Sequence, residues 1–90
     1  MTFAVNQIVK NTRGDVGIVA GFNGQPCLIV FQTFTMKPSQ FNADLQTKSK
    51  GYEITHIYDG SAIEDFSKVF SKKFKIEDLN LVWESPTPIE

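Results

Sequence analysis

The chain has 90 residues, a formal charge of −1 and a hydrophobic fraction of 41%. That length allows one domain with a thin core, and that apolar content excludes a disordered chain. A near-neutral chain lacks the global positive field that a general polyanion binder uses.

Phe3, Val5 and then Ile8-Val9 predict a short first strand. The polar run from Asn11 to Asp15 follows, and Gly14 suits the unusual backbone angles of a tight turn there. In the next segment Val16, Ile18 and Ala20 fall on one face of a strand, with Gly17, Val19 and Gly21 on the other. Two glycines on one face predict a sharp bend or the close approach of another backbone. Asn23-Gly24 is the strongest hairpin signal in the chain, because a two-residue type I′ turn needs positive φ twice. Pro26 belongs at a strand start or an edge, where no N–H is needed. Cys27 to Phe31 is apolar at alternate and intervening positions alike, which predicts cover on both faces.

Residues 32–50 are mostly polar, with Phe34, Met36, Phe41 and Leu45 scattered among them. Either the strand runs on to Met36, or Pro38-Ser39 opens a helical turn that pairs Phe41 with Leu45. Lys48 to Gly51 reads as a mobile turn. Tyr52 to Tyr58 is the next strand, with Tyr52, Ile54 and Tyr58 on one face, and Asp59-Gly60 ends it. Ser61 and Glu64 have the spacing of a capping box. Ile63, Phe66, Val69, Phe70 and Phe74 then recur at helical spacing. Glu64 and Asp65 come first and Lys72, Lys73 and Lys75 last, as the helix dipole favours. This predicts an amphipathic helix over about 62–73, with an alternating strand through the same phenylalanines as the rival. Ile76 to Leu79 looks like one turn, and Asn80 to Glu84 like a last strand with Leu79, Leu81 and Trp83 on one face. The fold class expected is mainly β: a small barrel of about five strands with one helix, occupying residues 1–84, followed by a frayed tail at 85–90.

The segments Asn6-Gln-Ile-Val-Lys10, Gly14-Asp-Val-Gly-Ile-Val19 and Glu77-Asp-Leu-Asn-Leu-Val82 carry a resemblance to a known family. Together they are similar to the skeleton of bacterial and phage SH3-like barrels, including the KOW type, over about half the chain. The helix and the long 32–50 segment depart from the minimal barrel. The general look is also similar to small proteins of phages and mobile elements. The resemblance implies a binding module, since such barrels are seldom enzymes on their own; fold alone does not fix function.

Few residues suggest catalysis. His56 is the sole histidine and Cys27 the sole cysteine. A nucleophilic pair would need an orienting third group, and the spacing indicates none. Cys27 reads instead as a small buried hydrophobe. One Cys and one His cannot fill a tetrahedral zinc site, so no metal or cofactor is expected. Gly14, Gly17 and Gly21 lack the Lys-Ser/Thr of a phosphate loop. Arg13-Gly14-Asp15 matches the integrin-type tripeptide and reads as a turn. A lone cysteine also cannot staple the domain, which points to a reducing, cytoplasmic setting. The first ten residues lack the charged start and apolar run of a signal peptide, and no apolar run spans a membrane.

Two surfaces remain. Phe34, Met36, Phe41, Tyr52, Tyr58 and Trp83 form a candidate protein-binding set, because stray apolar residues in polar sequence mark contacts. The partner expected is another protein, or a second copy of this chain. Lys68, Lys72, Lys73 and Lys75, joined by Lys48 and Lys50, form the alternative: a phosphate-contacting patch for nucleic acid, with Phe34 or Phe41 to stack on bases. Near-neutral charge weighs against that alternative.

Overall fold

The computed structural model describes residues 3–42, 44–47, 50–71 and 73–85. Its architecture is mainly β. Six strands, β1 (Gln7–Asn11), β2 (Val16–Phe22), β3 (Gln25–Phe31), β4 (Thr35–Met36), β5 (Ile54–Asp59) and β6 (Leu81–Glu84), form one antiparallel sheet in the order β4-β3-β2-β1-β5-β6. The chain meanders through four strands and returns to pair β5 with β1. No ladder joins β4 to β6 among the described residues, so the sheet is open rather than a closed barrel. No described helix is long and apolar enough to cross a membrane.

Two turns follow directly from residue chemistry. Asn23 (φ 53°) and Gly24 (φ 76°) both take positive φ between Phe22 and Gln25, the type I′ geometry that matches strand twist. Between β1 and β2, Gly14 takes φ 83°. There the Asn11 side-chain oxygen accepts from the N–H groups of Arg13 (3.0 Å) and Asp15 (2.9 Å). Asn11 is buried, and these bonds satisfy its carbonyl oxygen in place of water. The Arg13-Gly14-Asp15 tripeptide is therefore the body of this turn, and the Arg13 guanidinium donates to the Tyr52 hydroxyl at 2.8 Å.

The sheet buries both faces. One row runs Trp83, Ile57, Val9, Gly17 and Phe31 across β6, β5, β1, β2 and β3. With Phe3, Val19, Ile29, Met36, Leu45 and Ile54 these residues build the first core. The Phe31 ring lies over Gly17, at 2.9 Å from where a Cβ would stand. The row Tyr58, Ile8, Ile18 and Val30 faces the other way. Residues 63–79 fold over that face, bringing Val69 and Ile76 into a second core.

Three bulges decide which side chains reach which face. Each inserts one extra residue: Cys27 in β3, Thr55 in β5 and Val82 in β6. A single insertion reverses the alternation beyond it. Thr55 breaks the expected shared face of Tyr52, Ile54 and Tyr58: Ile54 and Tyr52 belong to the first core, and Tyr58 to the second. Val82 likewise separates Leu81, which is exposed, from Trp83, which packs on the first core. Cys27, expected to be buried, is exposed for the same reason. Leu28 beside it is also exposed, so only Ile29 and Phe31 of that apolar run are enclosed.

The helix expected over 62–73 is absent. In its place stands one 3-10 segment, Phe66–Phe70. Asp65 rather than Ser61 caps it, accepting from the Ser67 backbone N–H (3.1 Å) and hydroxyl (2.6 Å). Ser61 instead donates its N–H to Asp59 at 2.9 Å. Serine and aromatic side chains are weak α-helix formers, and here the rings gain more by packing down onto the sheet. Further 3-10 turns occupy Pro38–Gln40 and Ile76–Asp78. The strand from Cys27 does not run straight on to Met36: Phe31 donates its N–H to the Phe34 carbonyl at 2.9 Å, and β4 doubles back so that Met36 faces Ile29.

Candidate functional site

The segment 31–34, the turn at Gly14-Asp15 and the covering segment 69–77 meet around a cleft of about 400 Å³. A void of that size falls in the range of ligand and side-chain pockets. Its floor is apolar, with Val16, Phe31, Val69 and Ile76. Its walls are the half-buried rings of Phe34, Phe70 and Phe74. Polar groups collect at the mouth: the carboxylates of Asp15 and Glu77 and the hydroxyls of Thr33 and Ser71. Phe34 is fixed by stacking on Phe31, with centroids 4.6 Å apart and planes at 13°. Tyr52 meets Phe34 edge-on at 5.5 Å and is itself held by Arg13. This chain of ring contacts positions one wall of the cleft.

The six residues proposed from sequence for protein binding do not form one surface. Phe34 and Tyr52 are brought together. Met36 (6% exposed) and Tyr58 (8% exposed) are core residues on opposite faces. Phe41 meets Phe3 edge-on at 5.4 Å, and Trp83 packs on the first core. Phe70 and Phe74 belong to the cleft, and the helical periodicity hid them as ordinary core residues. Among the lysines, Lys68, Lys73 and Lys75 are exposed and make no ion pair with a described residue, while Lys72 and Lys48 lie outside the described residues. Lys50 is exposed next to Gly51.

Cys27 and His56 sit on β3 and β5, with β2 and β1 between them. His56 is occupied locally. Its Nδ1 lies 2.8 Å from the Thr55 hydroxyl, and its Nε2 lies 3.4 Å from a Glu84 carboxylate oxygen. Its ring stacks on Tyr58 at 6.1 Å. Burial, reinforced by the nearby charges of Glu77 and Glu84, pushes the Tyr58 hydroxyl above its ordinary value. No group of three or more His, Cys, Asp or Glu is arranged to hold a metal among the described residues.

No family model matches this chain, and neither the curated proteins nor the solved structures include a match to it.

Proposed function

We propose that this protein is a non-enzymatic interaction module that docks an apolar side chain of another polypeptide in the cleft between Phe34, Phe70 and Phe74. The observation that carries the reading is the combination of a ring-walled apolar floor with acceptor groups at its mouth. Such a site gains most of its affinity from desolvating one anchor residue, and the polar rim sets orientation. An SH3-like lineage of bacterial or phage origin fits the meander of β1–β4 with β5 returning to β1. An exposed, unbridged thiol at Cys27 fits a cytoplasmic setting.

The test uses N-acetyl-phenylalaninamide as the probe, titrated while the amide and ring resonances of the protein are followed by NMR. Shifts are expected at Phe34, Phe70 and Phe74, and Phe74→Ala should weaken the probe about tenfold. Shifts elsewhere, or none, reject the cleft as the docking site.

A second reading, contact with nucleic-acid phosphates, draws on the exposure of Lys68, Lys73 and Lys75. Asp65 precedes them and Glu77 and Asp78 follow them in the same covering segment, which offsets the positive charge of that segment. Binding of a single-stranded oligonucleotide whose Kd weakens steeply with salt would favour this reading over protein docking.

A further inference from the structure

The charged side chains that line the cleft are of one sign. Its polar lining comes from Asp15, Gln32, Thr33, Ser71 and Glu77. Two of these are carboxylates, and no described lysine or arginine lines the cleft. Lys68, Lys73 and Lys75 are exposed elsewhere on the covering segment. Arg13 is the basic residue nearest to Asp15 in the chain, yet it is engaged elsewhere. Its guanidinium donates to the Tyr52 hydroxyl at 2.8 Å and lies 5.1 Å from the centre of that ring. Asp15 and Glu77 are left without an ion pair to any described residue.

Hydrogen bonding hardly occupies them. Asp15 is half-buried, and among the described residues its carboxylate accepts from the Asn11 side-chain amide alone, at 3.5 Å. That bond is long, and it uses one of about four acceptor positions on the group. Glu77 is exposed and accepts no hydrogen bond from a described residue. The two carboxylates come from separate elements, the β1–β2 turn and the Ile76–Asp78 3-10 turn, and both border the same opening. A single surface carboxylate needs no ligand to explain it. Two unpaired ones at the mouth of an apolar, ring-walled hole favour a cation placed next to an apolar group.

Among biological cations the guanidinium suits this opening best. It is planar, weakly hydrated and able to meet a carboxylate through two parallel hydrogen bonds. It also stacks on ring faces, and Phe70 and Phe74 stack on no other described ring. An ammonium holds its water more tightly and loses more at an aromatic mouth.

We infer that the polypeptide docked in the cleft carries an arginine beside its apolar anchor, the anchor lying among the rings and the guanidinium against Asp15 and Glu77. The inference rests on the docking reading above and adds the chemistry of the partner: a basic segment with an apolar residue in it. An acidic segment is repelled at the same opening.

Three tripeptides test it, Arg-Phe-Arg, Ser-Phe-Ser and Glu-Phe-Glu, each acetylated and amidated at its ends. Placing the flanking residue on both sides removes any dependence on chain direction. Each is titrated while the amide and ring resonances of the protein are followed by NMR. All three are expected to shift Phe34, Phe70 and Phe74. The arginine peptide should bind about three- to tenfold tighter than the serine peptide, as one or two partly exposed charge pairs allow, and the glutamate peptide should bind more weakly than either. The preference should shrink as salt rises. Glu77→Gln and Asp15→Asn should each reduce it and leave the affinity for the serine peptide unchanged. Glu77 is exposed, so its variant keeps the fold. Equal affinities for the arginine and glutamate peptides overturn the inference, while the ring shifts keep the cleft as a docking site. A preference for arginine that survives both substitutions overturns it too, because the charge being read then lies elsewhere. If no peptide shifts the three rings, the docking reading falls with it.

Discussion

Three glycines occupy positions that look alike in the sequence and differ physically. Gly14 needs positive φ, yet nothing lies within 4 Å of where its Cβ would stand. Gly21 has an ordinary φ, but a Cβ there would collide with the Gln25 carbonyl oxygen and the Val5 side chain. Gly60 is similar, with the Asn6 carbonyl in the way. An alanine in the left-handed region costs about 1 kcal/mol, whereas forcing backbone apart costs about 2–3 kcal/mol. Gly14→Ala should therefore lower stability modestly and Gly21→Ala by about twice as much. Urea unfolding midpoints compare them, and equal losses would show that the backbone at the bulge yields. Leu45 makes the converse point. It holds φ 60°, rare for a bulky residue, and its fully buried side chain opposes that strain.

At the scale of elements, the strands and turns were legible and the covering segment was not. The Asn-Gly hairpin, the Gly14 turn and the alternation within β2 follow from strictly local rules, and they stand where those rules place them. The 62–73 pattern had a helical period, yet the period records only that one side of the segment is apolar. Phe66, Val69, Phe70 and Phe74 satisfy that demand equally well from a 3-10 turn with a bend after it. The cleft was hidden for the same reason, since its walls come from residues 34, 70 and 74, whose meeting depends on how that segment crosses the sheet. The Cys27 bulge left its signal in Gly21, where backbone approaches closely, and in Pro26, which cannot donate to a ladder, whereas the bulges at Thr55 and Val82 left none.

Asp65 is the residue that starts this segment, and it makes the element sensitive to acid. Hydrogen bonds from the Ser67 hydroxyl and backbone N–H hold its carboxyl below the usual value of 3.8. A depressed carboxyl contributes stability above its unfolded pKa and loses it as pH falls through the folded value. Acidification below 3.8 should thus loosen the 66–70 turn. Asp65→Asn keeps an acceptor oxygen and removes the titration, so its stability should fall less steeply than that of the parent chain over the same range. Parallel acid limbs for the two proteins would remove Asp65 from the account.

For the whole molecule, the question is whether the two cores melt together. Ile8 and Val9 are neighbours on β1, both fully buried, and they point into opposite cores. Since β1 lies between β2 and β5, neither core can open far without disturbing the ladders that support the other. Ile76, in the covering segment, is packed in the second core. Its truncation to alanine should cost about 2–4 kcal/mol, from lost burial plus the cavity left behind. The sole tryptophan, Trp83, reports on the first core from the far side of the sheet. If the sheet couples the two, Ile76→Ala should lower the midpoint seen by Trp83 fluorescence by about 10 °C or more, in step with far-UV circular dichroism. A tryptophan transition left in place would mean that residues 63–79 detach as a separate unit. The cleft wall built from Phe70 and Phe74 would then be only as persistent as that segment, and docking there would be coupled to its folding.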